Sequence, residues 1–242
     1  MNIEFHQIKV SGLVVDIVRK DIKNLHLGVY PPIGRVRVAA PLRVSDEAVR
    51  LAVISRLPWI KKQKTKFTNQ ARQTVREYVS GESHYFQGRR YRLNVIYQSG
   101  LPRVVVRNKS TIDLHVRDGS ETVQRERVLL TWYRQELKQF IPALIAQWEP
   151  IIGVQVAEWQ VKQMKTKWGT CNIEAKRIWL NLELAKKSKQ CLEYIVVHEM
   201  MHLLERHHND HFIELMNKFM PQWRMYREEL NGSALGYEDW SY

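Results

Sequence analysis

The chain has 242 residues, of which 44% are hydrophobic and 26% charged; that balance excludes a disordered or low-complexity protein and suffices for a core without disulfide or metal staples. Residues 1 to 150 hold 26 of the 38 basic residues and 13 of the 25 acidic ones, so the whole excess of +13 lies there, which points either to a surface facing polyanions or to a solubilising one. No apolar run approaches the ~20 residues of a membrane span, the opening MNIEFHQIKV lacks the features of a secretion signal, and Cys171 and Cys191 form no CxxC pair, so the expectation is a cytoplasmic protein with reduced thiols and no membrane partner.

In chain order, residues 3 to 42 alternate apolar and polar side chains around the PPIGR turn and predict a small twisted sheet. Ser45, followed by Asp46 and Glu47, predicts a helix start, and Pro58 interrupts or restarts that helix. Residues 61 to 76, KKQKTKFTNQARQTVR, are too polar for a core and are the candidate linker. HYFQGRRYRLNVIYQSG, RVVVRN and TIDLHV then predict a second β region built of hairpins. Val128, Leu129, Trp132, Tyr133, Leu137, Phe140 and Ile141 recur at helical spacing, with Pro142 as a kink or a new start. Beyond them VAEWQVKQM and RIWLNLELA read as strands, and helices are expected over 192–204, 212–219 and 223–230. No internal repeat is evident.

The string EYIVVHEMMHLLERHHNDHF carries the chemistry. On a helix, His198 and His202 project from one face at the spacing that places two imidazoles on one ion, with Glu199 beside them as a base. Chance alone gives such a pentad in about two of a hundred shuffled chains, so the context matters. Ile195, Val196, Val197, Met200, Met201, Leu203 and Leu204 make the segment apolar except at those three positions. Buried there without partners the three would be costly, and a metal satisfies them. An ion with three protein ligands and one open position, most naturally Zn2+, needs a third ligand. Glu205, His207, His208 and His211 are the candidates. His208 is favoured on condition that the helix ends near Arg206, since an unbroken helix would carry it off the ligand face.

KTKWGTCN (165–172), RIWLNLELA (177–185), YIVVHEMMHLLERHHNDHF and the trailing PQWRMYREELN resemble the YgjP-like metallopeptidase family, whose relatives include SprT-like proteins and minigluzincins. The resemblance implies His208 as the third metal ligand beside His198 and His202, Zn2+ as the cofactor, and Glu199 as general base in a zinc-dependent peptidase. It also implies two alternatives: a metal-dependent, UTP-type nucleotide pyrophosphatase, or a nucleic-acid-associated protein that acts on bound proteins through the basic N-terminal region. Lys167 and Thr170 stand where the family usually has Arg and Ser, and His207 and Asn209 flank His208 in place of Asn and Ser. Lys at 167 does not reproduce a bidentate Arg contact. Trp168 and Cys171 read as packing residues. Resemblance to gluzincins implies that the strand over 178–184 lies along the cleft and pairs with an extended peptide. Tyr194, Lys167 and Asn172 are the candidate donors to the transition state.

The fold expected is α+β: a basic β-rich N-terminal region over 1–120, followed over 121–242 by a zincin-like region of helices packed on a small sheet.

Overall fold

The computed structural model describes residues 5–30, 33–69, 76–164 and 167–232. The fold is α+β, with β-rich N-terminal sheets and C-terminal helices. Packing divides the chain into two compact units that part between residues 71 and 72.

In the first unit, β1 (Phe5–Val10), β2 (Leu13–Lys20), β3 (His26–Tyr30) and β4 (Arg35–Pro41) form one sheet in the order β1-β2-β4-β3. Its alternation buries Val15, Ile17, Val36 and Val38 on one face, where Val49, Val53 and Ile60 of two helices complete a separate core. Helix α1 (Asp46–Ser55) begins where expected, with the Ser45 side chain accepting from the Ala48 amide at 3.2 Å. Helix α2 (Leu57–Asn69) restarts at Leu57, placing Pro58 in the first turn, where a missing N–H costs nothing. The expected linker is therefore helical up to Asn69, and residues 70–75 lie outside the described residues.

The second unit opens with β5 (Ser83–Phe86), β6 (Arg89–Tyr97), β7 (Arg103–Val106) and β8 (Thr111–Val116), in the order β5-β6-β8-β7. The β5–β6 pair is the expected hairpin, but β6 and β8 run parallel and β7 closes the edge antiparallel to β8. This is the topology of the first sheet repeated, a repeat of strand order and pairing direction that is not visible as a repeat of residues.

Helix α3 (Thr122–Ile152) packs against that sheet through Leu129, Trp132, Tyr133, Leu137, Ile141, Ile145, Trp148 and Ile152. Pro142 neither ends nor restarts it. The ring removes one backbone hydrogen bond, while fully buried Ile141 and nearly buried Ile145 on either side keep the segment on the core. The packing division falls earlier than 120/121 because β5–β8 and α3 share one core.

Three short strands follow, β9 (Glu158–Lys162), β10 (Gly169–Asn172) and β11 (Arg177–Asn181), in the order β10-β11-β9, with β10 antiparallel and β9 parallel to β11. RIWLNLELA is thus a strand only to Asn181; Leu182–Lys186 wind as a 3-10 turn capped by the Asn181 side chain. The β5–β6 hairpin seats that turn: the amides of Gln87 and Gly88 donate to the carbonyls of Ala185 and Lys186. Gly88 has φ 77, and a Cβ on it would come within 3.2 Å of Ser188 Cα.

Ser188 caps α4 (Lys189–Met201) by accepting from the Cys191 amide at 3.2 Å. This helix is buried almost all round, as a chain apolar on every face requires. Trp148 Nε1 donates to Glu193 at 2.9 Å and ties α4 to α3. Helices α5 (Asp210–Phe219) and α6 (Trp223–Gly232) complete the unit. No helix among the described residues is long and apolar enough to cross a membrane.

Candidate metal centre

Helix α4 ends at Met201, earlier than expected, with His202 as its C-cap. The amides of Leu203, Leu204 and Glu205 then turn back onto the carbonyls of Met200 and Met201. The chain reverses, and Asn209 starts α5 by accepting from the Phe212 amide at 3.0 Å. That reversal returns His208 to the helix face it would otherwise leave. The ligand-capable nitrogens of His198, His202 and His208 lie within 4.8 Å of one another, the one such cluster among the described residues.

His198 Nε2 and His208 Nε2 face each other at 2.9 Å. His202 Nδ1 lies 3.0 Å from the Glu205 carbonyl, an arrangement in which Nδ1–H donates and leaves the Nε2 lone pair free. Phe212 packs against all three imidazoles, with ring centres 4.8 to 5.0 Å away. Burial holds His198 neutral, its pKa pushed down to about 3 with help from the neighbouring imidazoles and Arg227. Three neutral nitrogen donors converging on one point suit a divalent borderline ion.

Glu199 sits on the buried side of the same turn, 4% exposed. Desolvation pushes its carboxyl up to about 8, partly offset by the positive charge of Lys167. The carboxylate lies against strand β10: a Cβ on Gly169 would come 2.5 Å from Glu199 Oε1, so only glycine lets the strand and the acid approach.

The other candidates fall elsewhere. Glu205 accepts from the His207 amide at 2.9 Å and takes part in the turn. His207 is exposed, and exposed His211 faces Glu214 at 3.9 Å on α5. Asn172 Oδ1 accepts from the Ala175 amide at 2.9 Å and closes the β10–β11 turn. Trp168 and Cys171 pack, half-buried, at the core's edge, and burial followed by Glu199 raises the Cys171 pKa to about 11. The Tyr194 ring stands edge-on to His198 at 5.8 Å. Strand β11 does not offer an edge to a peptide, because β10 and β9 occupy both its sides; the edge strand beside Glu199 is β10.

The cleft in front of these groups measures about 1030 Å³. Phe212, Trp223 and Arg227 belong to its walls and were not singled out in the sequence. They lie within the strings that carry the resemblance, but individually they read as ordinary helix packing, whereas Gly169 within a strand carried a usable signal of close approach.

A model described as YgjP-like, metallopeptidase domain matches residues 23–233. Among solved structures, the zymogen of the Pyrococcus abyssi metallopeptidase abylysin aligns at 18% identity over 38% of this chain and 91% of that one, with a TM-score of 0.36. The Methanocaldococcus jannaschii jannalysin zymogen aligns at 17% identity over 37% and 92%, with a TM-score of 0.34. No curated protein matches.

Proposed function

The chain belongs to the YgjP-like metallopeptidase family and is a metal-dependent peptidase, and from that premise we propose that its ion is zinc, held by His198, His202 and His208, with Glu199 as general base. The observation that carries this reading is the convergence of three imidazole nitrogens within 4.8 Å beside a buried carboxylate. His198 and His208 nitrogens at 2.9 Å, the first held neutral by burial and the second with its pKa lowered by partial desolvation and its neighbours, are an arrangement that a cation relieves.

When bound, zinc supplies Lewis acidity that acidifies a water and polarises a carbonyl. The rest falls to the chain. The Glu205 carbonyl fixes the His202 tautomer, and Phe212 keeps the imidazoles together and excludes water from their apolar side. Glu199 accepts the water's proton on its carboxylate and delivers it to the leaving nitrogen, a task suited to a carboxyl whose pKa burial has brought near neutrality.

The pyrophosphatase alternative calls for carboxylates around Mg2+ or Mn2+, and the cluster found among the described residues is all histidine. The nucleic-acid alternative rests on charge alone; Lys61 and Lys62 are exposed on α2, and Phe67 is the single aromatic of that basic stretch, a poor stacking platform.

Elemental analysis with an activity assay tests the reading. The purified protein is expected to hold about one zinc per chain and to cleave an unfolded-protein substrate. Chelation should stop cleavage and added zinc restore it. A metal-free protein that still cleaves peptides would overturn the assignment.

A further inference from the structure

Four cationic side chains reach the cleft, Lys167, Arg177, Arg206 and Arg227, against the carboxylates of Glu174 and Glu199. Arg177 is already engaged, 3.3 Å from Glu158 and over the Trp179 ring. Lys167, Arg206 and Arg227 remain against two carboxylates. The cleft therefore presents unbalanced positive charge around its metal centre.

Arg227 on α6 is the best-placed of these cations. No carboxylate lies within ion-pair distance of it among the described residues. Glu228 and Glu229 follow it directly, and neighbours one and two apart on a helix do not face each other. Its guanidinium lies 5.8 Å from the centre of the Trp223 ring. That ring is fixed by its Nε1–H donating to Asn217 at 2.9 Å and by stacking on Tyr194 at 6.5 Å. Tyr194 in turn stands beside His198 and is 4% exposed, yet its hydroxyl finds no hydrogen-bond partner among the described residues. One wall thus offers a guanidinium and a phenol, two donors without an acceptor, next to the proposed metal ligand. Both groups line the cleft, so a carboxylate entering it meets a charge-assisted guanidinium donor on the same wall as a phenol O–H.

Resting on the peptidase reading of this site, we propose that the Arg227–Tyr194 wall binds a carboxylate of the substrate, so that the enzyme selects peptides with an acidic group close to the scissile bond. The carboxylate is either an Asp or Glu side chain or the free C-terminus of a short peptide. A planar carboxylate matches the donor fork of Arg, whereas a neutral or basic group at that position leaves the guanidinium unpaired.

The test uses the full zinc-loaded chain and matched peptides that differ only as Glu against Gln at each position flanking the cleaved bond, each with a free and an amidated C-terminus. The wild-type protein should favour the carboxylate member by roughly tenfold in kcat/KM, the usual scale of one charge-assisted pair. The ratio should fall toward one in Arg227→Met, and in Arg227→Gln should the first variant fold poorly. A preference that survives amidation assigns the carboxylate to a side chain; one that disappears assigns it to the C-terminus. Binding of the same peptides to the Glu199→Gln protein gives a second readout without turnover. Cleavage with no preference, or a preference that persists without Arg227, overturns the carboxylate site and leaves the peptidase reading standing. Carboxylate-selective binding that depends on Arg227, with no peptide cleaved, does the reverse. UTP hydrolysis that depends on Arg227, with no carboxylate preference in either assay, overturns both.

Discussion

His198, His202 and Glu199 were legible because helical spacing alone brings them to one turn. His208 was legible only on a condition, since its place depends on where α4 stops; the resemblance of the surrounding motif pointed to the same residue. The proposed ligand set leads to a direct expectation. His198→Ala, His202→Ala and His208→Ala should each lose tightly bound zinc, measured by elemental analysis after dialysis, while His207→Ala and His211→Ala should keep it. A second expectation concerns Gly169. A methyl group there meets Glu199 Oε1 at 2.5 Å and Glu199 Cγ at 2.7 Å, so Gly169→Ala should displace the carboxylate. Zinc content should be unchanged and kcat lower by at least roughly tenfold, because a misplacement of about 1 Å is costly in catalysis. Equal activity would mean that the strand yields without disturbing Glu199.

Ser45 was read as a helix start and caps α1, whereas α4 begins three residues before the expected Leu192, at the Ser188 cap, and stops at Met201, three residues before the expected Leu204. What ends it is the turn from Leu203 to Asn209, held by the Glu205 carbonyl on His202 and by the Asn209 cap on α5. Asn209→Ala should therefore cost about 1 kcal/mol of stability by loss of the cap and also weaken zinc binding, since His208 directly precedes the cap. Thermal melting and a zinc-competition titration read the two effects separately. A variant that loses stability with unaltered zinc affinity would show that the cap does not position His208. The strand nominated to face a peptide was misplaced for a related reason. An apolar run identifies β11 as buried, but only the pairing order shows that among the described residues β10 and β9 are the edges, with β10 the one beside Glu199.

At the scale of the whole molecule, composition foretold a core large enough to fold, and the buried residues of β5–β8, α3 and α4 form one continuous core. The chain divides between residues 71 and 72, inside the linker candidate 61–76, and not at 120/121. The basic stretch looks like a linker by composition, yet 61–69 form the end of a helix, and the second β region joins the helices after it. From that core follows a further expectation. Removing zinc should leave far-UV circular dichroism nearly unchanged and lower the melting temperature only by the free energy of zinc binding, in contrast to small metal-dependent domains that unfold when apo. Loss of the helical signal on chelation would mean that the imidazole cluster holds α4, α5 and the turn between them together.

The central claim, that Glu199 works as the base of a zinc peptidase and not as a ligand, is tested most directly by measuring zinc content and peptide hydrolysis of Glu199→Gln beside the wild-type protein. The amide keeps the size of the side chain and removes the site that accepts the water's proton. The expected result is about one zinc per chain in both proteins and a fall in kcat of at least ~10²-fold in the variant. Loss of zinc from Glu199→Gln, or hydrolysis undiminished with zinc retained, would contradict it.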